Sequence, residues 1–366
     1  MKVQSIFYIL LGLFFLHGAT PVYGQENLDI HEPDTVQIVR TQVLEAQQDR
    51  QNYILTLEIE SGLYAGQVLE LPYIQEHPGS SITILPGDKM LVQLESNKGS
   101  ISNAYISSYI RDQKLLKLAA AFAIILIIIG GKKGFKSIMS LIISGIAIYF
   151  IMLPMFFQGY DPIITTIIIS TVVSILSLII ISGRNTKTLA AIIGTTGGVM
   201  IAGVLAIIVG SAAQLTGLSD EEMQSLLFIP QQISYDYSGI LFSGMIIGAL
   251  GAVMDVGMSI ASSIEEIKQA NSSLGTMALF RAGMNVGRDI MGTMSNTLIF
   301  AYTGGAIPLM LVFMAYHTPL SRVVNLEMIA TEIIRALTGS IGLIIAVPIT
   351  SIAAGTLFGR YRSDYY

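Results

Sequence analysis

Residues 249–263 read ALGAVMDVGMSIASS, a stretch apolar enough to cross a bilayer that nevertheless holds a carboxylate, Asp255. An ionisable group at that depth is costly in hydrocarbon. It is expected to face protein or water, and such groups commonly mark ion, proton or substrate pathways. Helical spacing sorts its neighbours. Gly244, Gly248, Gly251, Asp255, Ser259 and Ser262 recur every three or four residues along one stripe, while Ile246, Leu250, Val253, Ile260 and Ile264 take the other side. The spacing Gly244-x-x-x-Gly248 suits close approach by another helix, so the stripe is expected to face the interior of a helical bundle. Two roles for Asp255 stay open: a structural carboxylate hydrogen-bonded across helices, or part of an ion, proton or substrate site.

The stretch GRDIMGTMSNTLIFAYTGGAIPL (287–309) supplies a candidate partner. Asp289, Thr293, Asn296 and Thr303 share a helical face, with Met291, Met294, Leu298 and Leu309 elsewhere. Asn296 falls near the expected depth of Asp255, and its amide can bond a carboxylate in either protonation state. Arg288 and Asp289 are expected at the inner membrane interface, in a snorkelling or ion-pair role.

Enzyme chemistry finds little support. Two-carboxylate hydrolysis needs a pair of acids at one depth, and Asp161, Asp236 and Asp289 all fall outside the spans. The histidines, His17, His31, His77 and His317, lie outside them too, and the chain has no cysteine. Neither H-E-x-x-H nor a G-x-x-x-x-G-K-[ST] loop occurs. No catalytic residue, metal site, cofactor or nucleic-acid partner is expected.

The elements that must position these residues follow from composition. Of 366 residues 52% are hydrophobic and 12% charged, with a mean hydropathy of +0.65. A soluble domain carries about 25% charged residues, so the bilayer is the expected solvent. MKVQSIFYILLGLFFLHGATPVYG (1–24) has the form of a secretory signal, cleaved or retained as an anchor. From 25 to 112 the chain turns polar. TVQIVRTQVLEA, NYILTLEIESG, GQVLELPYI, SITILPG and KMLVQLES read as short strands between Gly/Pro turns, a small all-β barrel of OB or SH3-like type.

Seven spans follow in 113–360, near 114–131, 137–157, 162–182, 188–213, 238–263, 290–315 and 335–358. Lys132, Lys133, Lys136, Arg184, Lys187, Lys268, Arg281, Arg288, Arg360 and Arg362 fall on one set of loops, against Arg322 and Arg335 on the other. The charge rule then puts the β domain outside and the C-terminus, with its tail 361–366, inside. The linker EEIKQANSSLGTMALFRAGMNVGRD reads as an amphipathic segment on the inner leaflet. Gly194–Gly203 and Gly304-Gly305 allow either close helix packing or local unwinding. SGRNTKTLAAIIGTTGG and VGRDIMGTMSNTLIFAYTGG share a faint pattern that fits shared membrane chemistry or an old duplication.

GALGAVMDVGMSIASSIEE followed by GRDIMGTMSNTLIFAYTGGAIPL resembles the YibE/F family of multispan bacterial membrane proteins, and SGLYAGQVLEL ahead of the spans fits the same resemblance over roughly 35–360. The resemblance implies a bacterial cytoplasmic-membrane protein and picks out Asp255, Arg288, Asp289, Thr293 and Asn296, without naming an activity. The expectation is therefore a polytopic α-helical membrane protein with a small exported β domain. Its function is read as a gradient-driven transporter or permease for a small solute or ion. The alternative is a sensor or assembly factor acting through the β domain. A homo-oligomer or a partner membrane protein is compatible with either.

Overall fold

The structure, a computed structural model, describes residues 35–49, 52–74, 83–97, 100–229 and 235–360. The expected signal segment at 1–24 and the tail at 361–366 lie outside the described residues. The chain divides into two compact units between Ile125 and Leu126.

The first unit is built on β1 (Thr35–Asp49), β2 (Asn52–Ile59), β3 (Val68–Tyr73), β4 (Lys89–Asn97) and β5 (Ser100–Tyr109). Strict alternation turns Tyr53, Leu55, Leu57 and Ile59 inward along β2, and Met90, Val92 and Leu94 inward along β4. Each such side chain contributes about 1.5–3 kcal/mol by leaving water. The strands form one antiparallel sheet in the order β3-β2-β1-β4-β5. The long β1 serves two partners, pairing β4 through Thr35–Gln42 and β2 through Thr41–Asp49. A register shift between Val43 and Glu45 bends it where it changes partner. β3 and β5 come close to each other, curling the sheet into a half-barrel. A β1 flanked by β2 and β4 is the strand order of the OB type and not the SH3 order. One expected strand is corrected. SITILPG forms no strand over its described residues 83–87, although Ile84 joins the core, and the fifth strand is the Ser- and Tyr-rich Ser100–Tyr109.

The second unit is helical, and its first helix begins within the first unit. We label α1 (Asp112–Ala147), which passes through a π-helical turn into α2 (Leu153–Phe157), then α3 (Pro162–Ser182), α4 (Thr186–Ala212), α5 (Glu221–Ser225), α6 (Tyr237–Ala270), α7 (Thr276–Ala315), α8 (Leu320–Val323) and α9 (Glu327–Arg360). Among the described residues six helical runs are long and apolar enough to cross a membrane. Seven spans were expected. The first two fall on a single run, Asp112–Phe157, that breaks at Gly131 (φ 54, ψ −130). Asp161, Asn185 and Asp236 each accept a hydrogen bond from a first-turn N–H at 2.8–2.9 Å, capping α3, α4 and α6. Asp161 and Asp236 are thereby accounted for as helix caps.

α4, α6 and α9 form the centre, with Ala191, Val199, Val253, Ile260, Leu343 and Val347 in its core. Small residues bring these helices to backbone contact. A Cβ on Gly198 would lie 2.8 Å from the Gly342 carbonyl oxygen, and one on Gly342 would lie 2.7 Å from that of Gly198. Close packing, not unwinding, is thus the use of Gly194–Gly203, and Gly304-Gly305 also lie in unbroken helix. The linker expected on the inner leaflet is instead the end of α6, a turn, and the first turns of α7, with Gly283 and Gly287 buried against Ile264, Ile260 and Val347.

Candidate functional site

α6 is amphipathic as its sequence predicts, but the direction is the reverse of the expected one. Ile246, Val253, Ile260 and Ile264 are completely buried, and Leu250 nearly so. Gly244, Gly248, Gly251, Asp255 and Ser259 are exposed, with Ser262 half-buried. The expectation that this stripe faces the bundle interior is corrected. The physical reason is contact: branched side chains fill the space between α4, α6 and α9, whereas glycine, aspartate and serine offer those neighbours little dispersion surface. Gly244 and Gly251 have nothing within 4 Å of where a Cβ would stand, so they pack no helix within the protomer. Gly248 alone is covered, by the Tyr302 hydroxyl of α7.

α7 runs antiparallel to α6. Ile264 meets Gly283, Ile260 meets Gly287, and Gly248 meets Tyr302, which places Asp255 level with the turn that holds Thr293 and Asn296. The depth match holds, but the contact does not. Thr293 donates its hydroxyl to the Ile290 carbonyl at 2.9 Å. Among the described residues neither it nor Asn296 is hydrogen-bonded to Asp255. Asp289, Thr293, Asn296 and Thr303 are all exposed, as is Arg288, whose guanidinium reaches Asn285 at 3.4 Å. The two polar faces are therefore both outward and at one depth, unsatisfied by each other.

A second polar group went unread in the sequence. Arg335 on α9 donates to Glu332 at 2.6 Å and lies 5.9 Å from the centre of the Tyr302 ring. Among the described residues its Nε has no partner, nor do the buried hydroxyls of Ser243, Thr331 and Ser340. The signal was present: Arg335 broke the charge rule, and Glu332 stands three residues before it, one helical turn away. Tyr302 ties this group to the stripe, because its hydroxyl covers Gly248, seven residues or about 10 Å along α6 from Asp255. Polar groups thus run along the α6–α7 face from Arg335 and Glu332, past Tyr302, to Asp255 with Thr293 and Asn296 at its level, and on to Ser259, Asp289 and Arg288.

Chemically this face offers the carboxylates of Asp255 and Asp289, an amide, hydroxyls and an ion pair, a set able to bind and release a proton or a small cation. Among the described residues no three His, Asp or Glu side chains stand together as a metal site needs. A cavity of about 470 Å³ opens at the α3–α4 turn, among Arg184, Asn185, Thr188 and Leu357, and none of the expected site residues lines it.

Residues 118–360 match the family model described as YibE/F-like protein. No curated protein and no solved structure matches the chain.

Proposed function

The chain belongs to the YibE/F-like family, and from that premise we propose that it is a gradient-driven permease for a proton, small cation or small solute. The observation that carries this reading is Asp255, a carboxylate midway along a 34-residue apolar helix, on a stripe free of large apolar side chains. Hydrocarbon penalises such a group by about 2.5–3.5 kcal/mol at the helix centre on insertion scales, and a retained cost of that size favours use over accident. The polar groups continuing towards both ends of α6 support a path along this face.

The protein is a multi-pass membrane protein, and its finer topology is part of the same proposal. A straight helix of 46 residues would measure about 70 Å, twice the roughly 30 Å of hydrocarbon it would have to fit, and the break at Gly131 divides that run into two lengths that each fit. Seven crossings, the β unit outside and the C-terminus inside the bacterial cytoplasmic membrane, then agree with the lysines and arginines other than Arg322 and Arg335. Residues 1–24 serve as the export signal. A second reading, a sensor or assembly factor, draws on one observation: the β unit has its own closed core and OB-type strand order, a frame whose faces commonly bind ligands.

The deciding experiment is ion flux in proteoliposomes under imposed proton, sodium and potassium gradients. Wild type is expected to dissipate one of them, and Asp255→Asn, which keeps volume and hydrogen bonding, is expected to lose that flux or its pH dependence. Full pH-responsive flux with Asn at 255 would remove Asp255 from the path, and no flux under any gradient would overturn the permease reading.

A further inference from the structure

Two sets of glycines stand out inside the long helices. Gly194, Gly198, Gly210, Gly257, Gly283, Gly287 and Gly342 each stand where a Cβ would come within about 3 Å of a neighbouring helix, so glycine is what lets those helices touch. Gly244, Gly251, Gly292, Gly304 and Gly305 meet nothing within 4 Å, as do Gly130 and Gly131 at the break in α1. A glycine weakens a helix relative to alanine, and nothing in the protomer uses that sacrifice. Away from that break, all five lie on α6 and α7, on stretches that also expose Asp255, Ser259, Thr293, Asn296 and Thr297.

Surfaces that meet lipid look different in this same molecule. α3 exposes Ile164, Ile168, Val172 and Leu176, and α4 exposes Leu189, Ile193, Val204 and Ile208. The α6 stripe exposes no large apolar side chain between Gly244 and Ser259. Shape completes the contrast. The α6 stripe belongs to a largely buried helix, whereas α7 projects, with only Leu279, Gly283, Gly287 and Leu298 buried along its 40 residues.

We infer that the α6–α7 face is covered by a second copy of this chain, α7 of each protomer lying on the α6 stripe of the other about a two-fold axis. Each stripe presents an acceptor, Asp255, without a donor. Each α7 presents the Asn296 amide at the matching depth without an acceptor, so a self-complementary, isologous contact pairs both at once. The open glycines on both helices are what such a contact requires for close approach. The leading apolar stretch of α1, with Leu118, Phe122, Ile125 and Ile129 exposed, offers nothing that bonds a carboxylate. Two helices side by side over the hydrocarbon thickness present roughly 600 Å² per protomer, approaching the ~800 Å² per partner of a standard interface. The inference builds on the reading of Asp255 as a group of the transport path, for which the second copy supplies the missing wall.

Subunit counting by single-molecule photobleaching, on full-length protein in lipid vesicles at decreasing protein-to-lipid ratio, tests it without any flux measurement. Wild type is expected to be dimeric. Gly251→Leu, which fills open space in the protomer, is expected to weaken the dimer at least ten-fold while the protomer keeps its thermal stability in detergent. In the cysteine-free chain, Gly251→Cys in one tagged copy and Thr293→Cys in another should crosslink, and Ile168→Cys pairs should not. A monomeric wild type, a dimer indifferent to Gly251→Leu, or equal crosslinking at Ile168 would each overturn the inference. The crosslinks decide alone if Gly251→Leu fails to fold. A dimer without flux would leave the interface standing and remove only the permease reading, while flux from a monomer would do the opposite.

Discussion

α3 and α6 cross the same apolar unit with opposite faces inward. α3 buries Thr166, Ser170, Ser174 and Ser177 and turns isoleucine, valine and leucine outward. α6 buries isoleucine, valine and leucine and turns glycine, aspartate and serine outward. In hydrocarbon the first arrangement is the economical one: hydroxyls are sheltered, Ser174 donating to the Ser170 carbonyl at 2.7 Å, and branched chains meet lipid. The second would suit a helix on a water-soluble protein. A single bilayer cannot favour both, so the outward face of α6 is not a lipid face. The difference teaches that exposure in a membrane protein has two meanings, and that side-chain chemistry tells them apart.

The largest expected effect lies in exchanging the faces of α6. Ile260→Asp places an unpaired carboxylate in the core, at a cost of about 5 kcal/mol or more, and no folded protein should be recovered in detergent. Asp255→Leu has no protomer partner to strand and should insert and elute as a well-folded species. Should Asp255→Leu collapse like Ile260→Asp, the comparison with α3 fails.

The two sets of glycines sharpen the same contrast. Gly198→Ala drives a methyl to 2.7 Å from the Ala346 Cβ and 2.8 Å from the Gly342 carbonyl oxygen, an overpacking expected to cost about 1–3 kcal/mol. Gly251→Ala should instead raise protomer stability by up to about 1 kcal/mol. Melting temperatures in detergent should move in opposite directions, and a parallel shift would contradict the assignment of faces.

A loss of the same order is expected at the Arg335–Glu332 pair. Glu332→Gln leaves a guanidinium whose Nε is already unpartnered, costing about 1–3 kcal/mol. Combining it with Arg335→Met should recover part of the loss, and a double-mutant cycle measures how much.

The smallest effect belongs to the β unit and is read through pH. Burial and the hydrogen bond to Asp88 hold the Tyr109 phenol above its ordinary value, in that order of importance. A folded-state value above the unfolded one means the contribution is full below pH of about 10 and is lost as pH rises beyond it. Tyr109→Phe should therefore flatten the alkaline fall of the β-unit melt. An unchanged slope would remove Tyr109 from the account.

The sequence made some of this legible and not the rest, for reasons that differ by region. In β2 and β4 strict alternation names the buried side chains directly, because water outside the sheet fixes which face turns in. In β5 the inward positions are shared among isoleucine, alanine and tyrosine between serines, so the pattern carries little contrast, while the apolar run of SITILPG mimics a strand where the chain only dips one residue, Ile84, into the core. Along α6 the period divides the two faces correctly, down to Asp255 and Ile260. Periodicity has no sign, however. The inward reading of the polar stripe came from assuming that everything outside the protomer is lipid. The Arg335–Glu332–Tyr302 group stayed hidden because its members come from two helices and only meet in the folded chain.

The break at Gly131 bears on how the chain is made. A left-handed residue at the junction of two apolar helices, followed at once by Lys132, Lys133 and Lys136, leaves no loop between them, and Gly134 already lies against Leu126 and Ile127. Segments joined so tightly cannot enter a bilayer as independent events. Under the seven-crossing topology proposed above they are threaded together as a hairpin, with three ammonium groups left on the side of synthesis, where dragging them through hydrocarbon would cost several kcal/mol. Under that topology every later helix inherits its direction from that one step. A residue other than glycine at 131 would then act first on the yield and polarity of insertion, before it touched the finished protein.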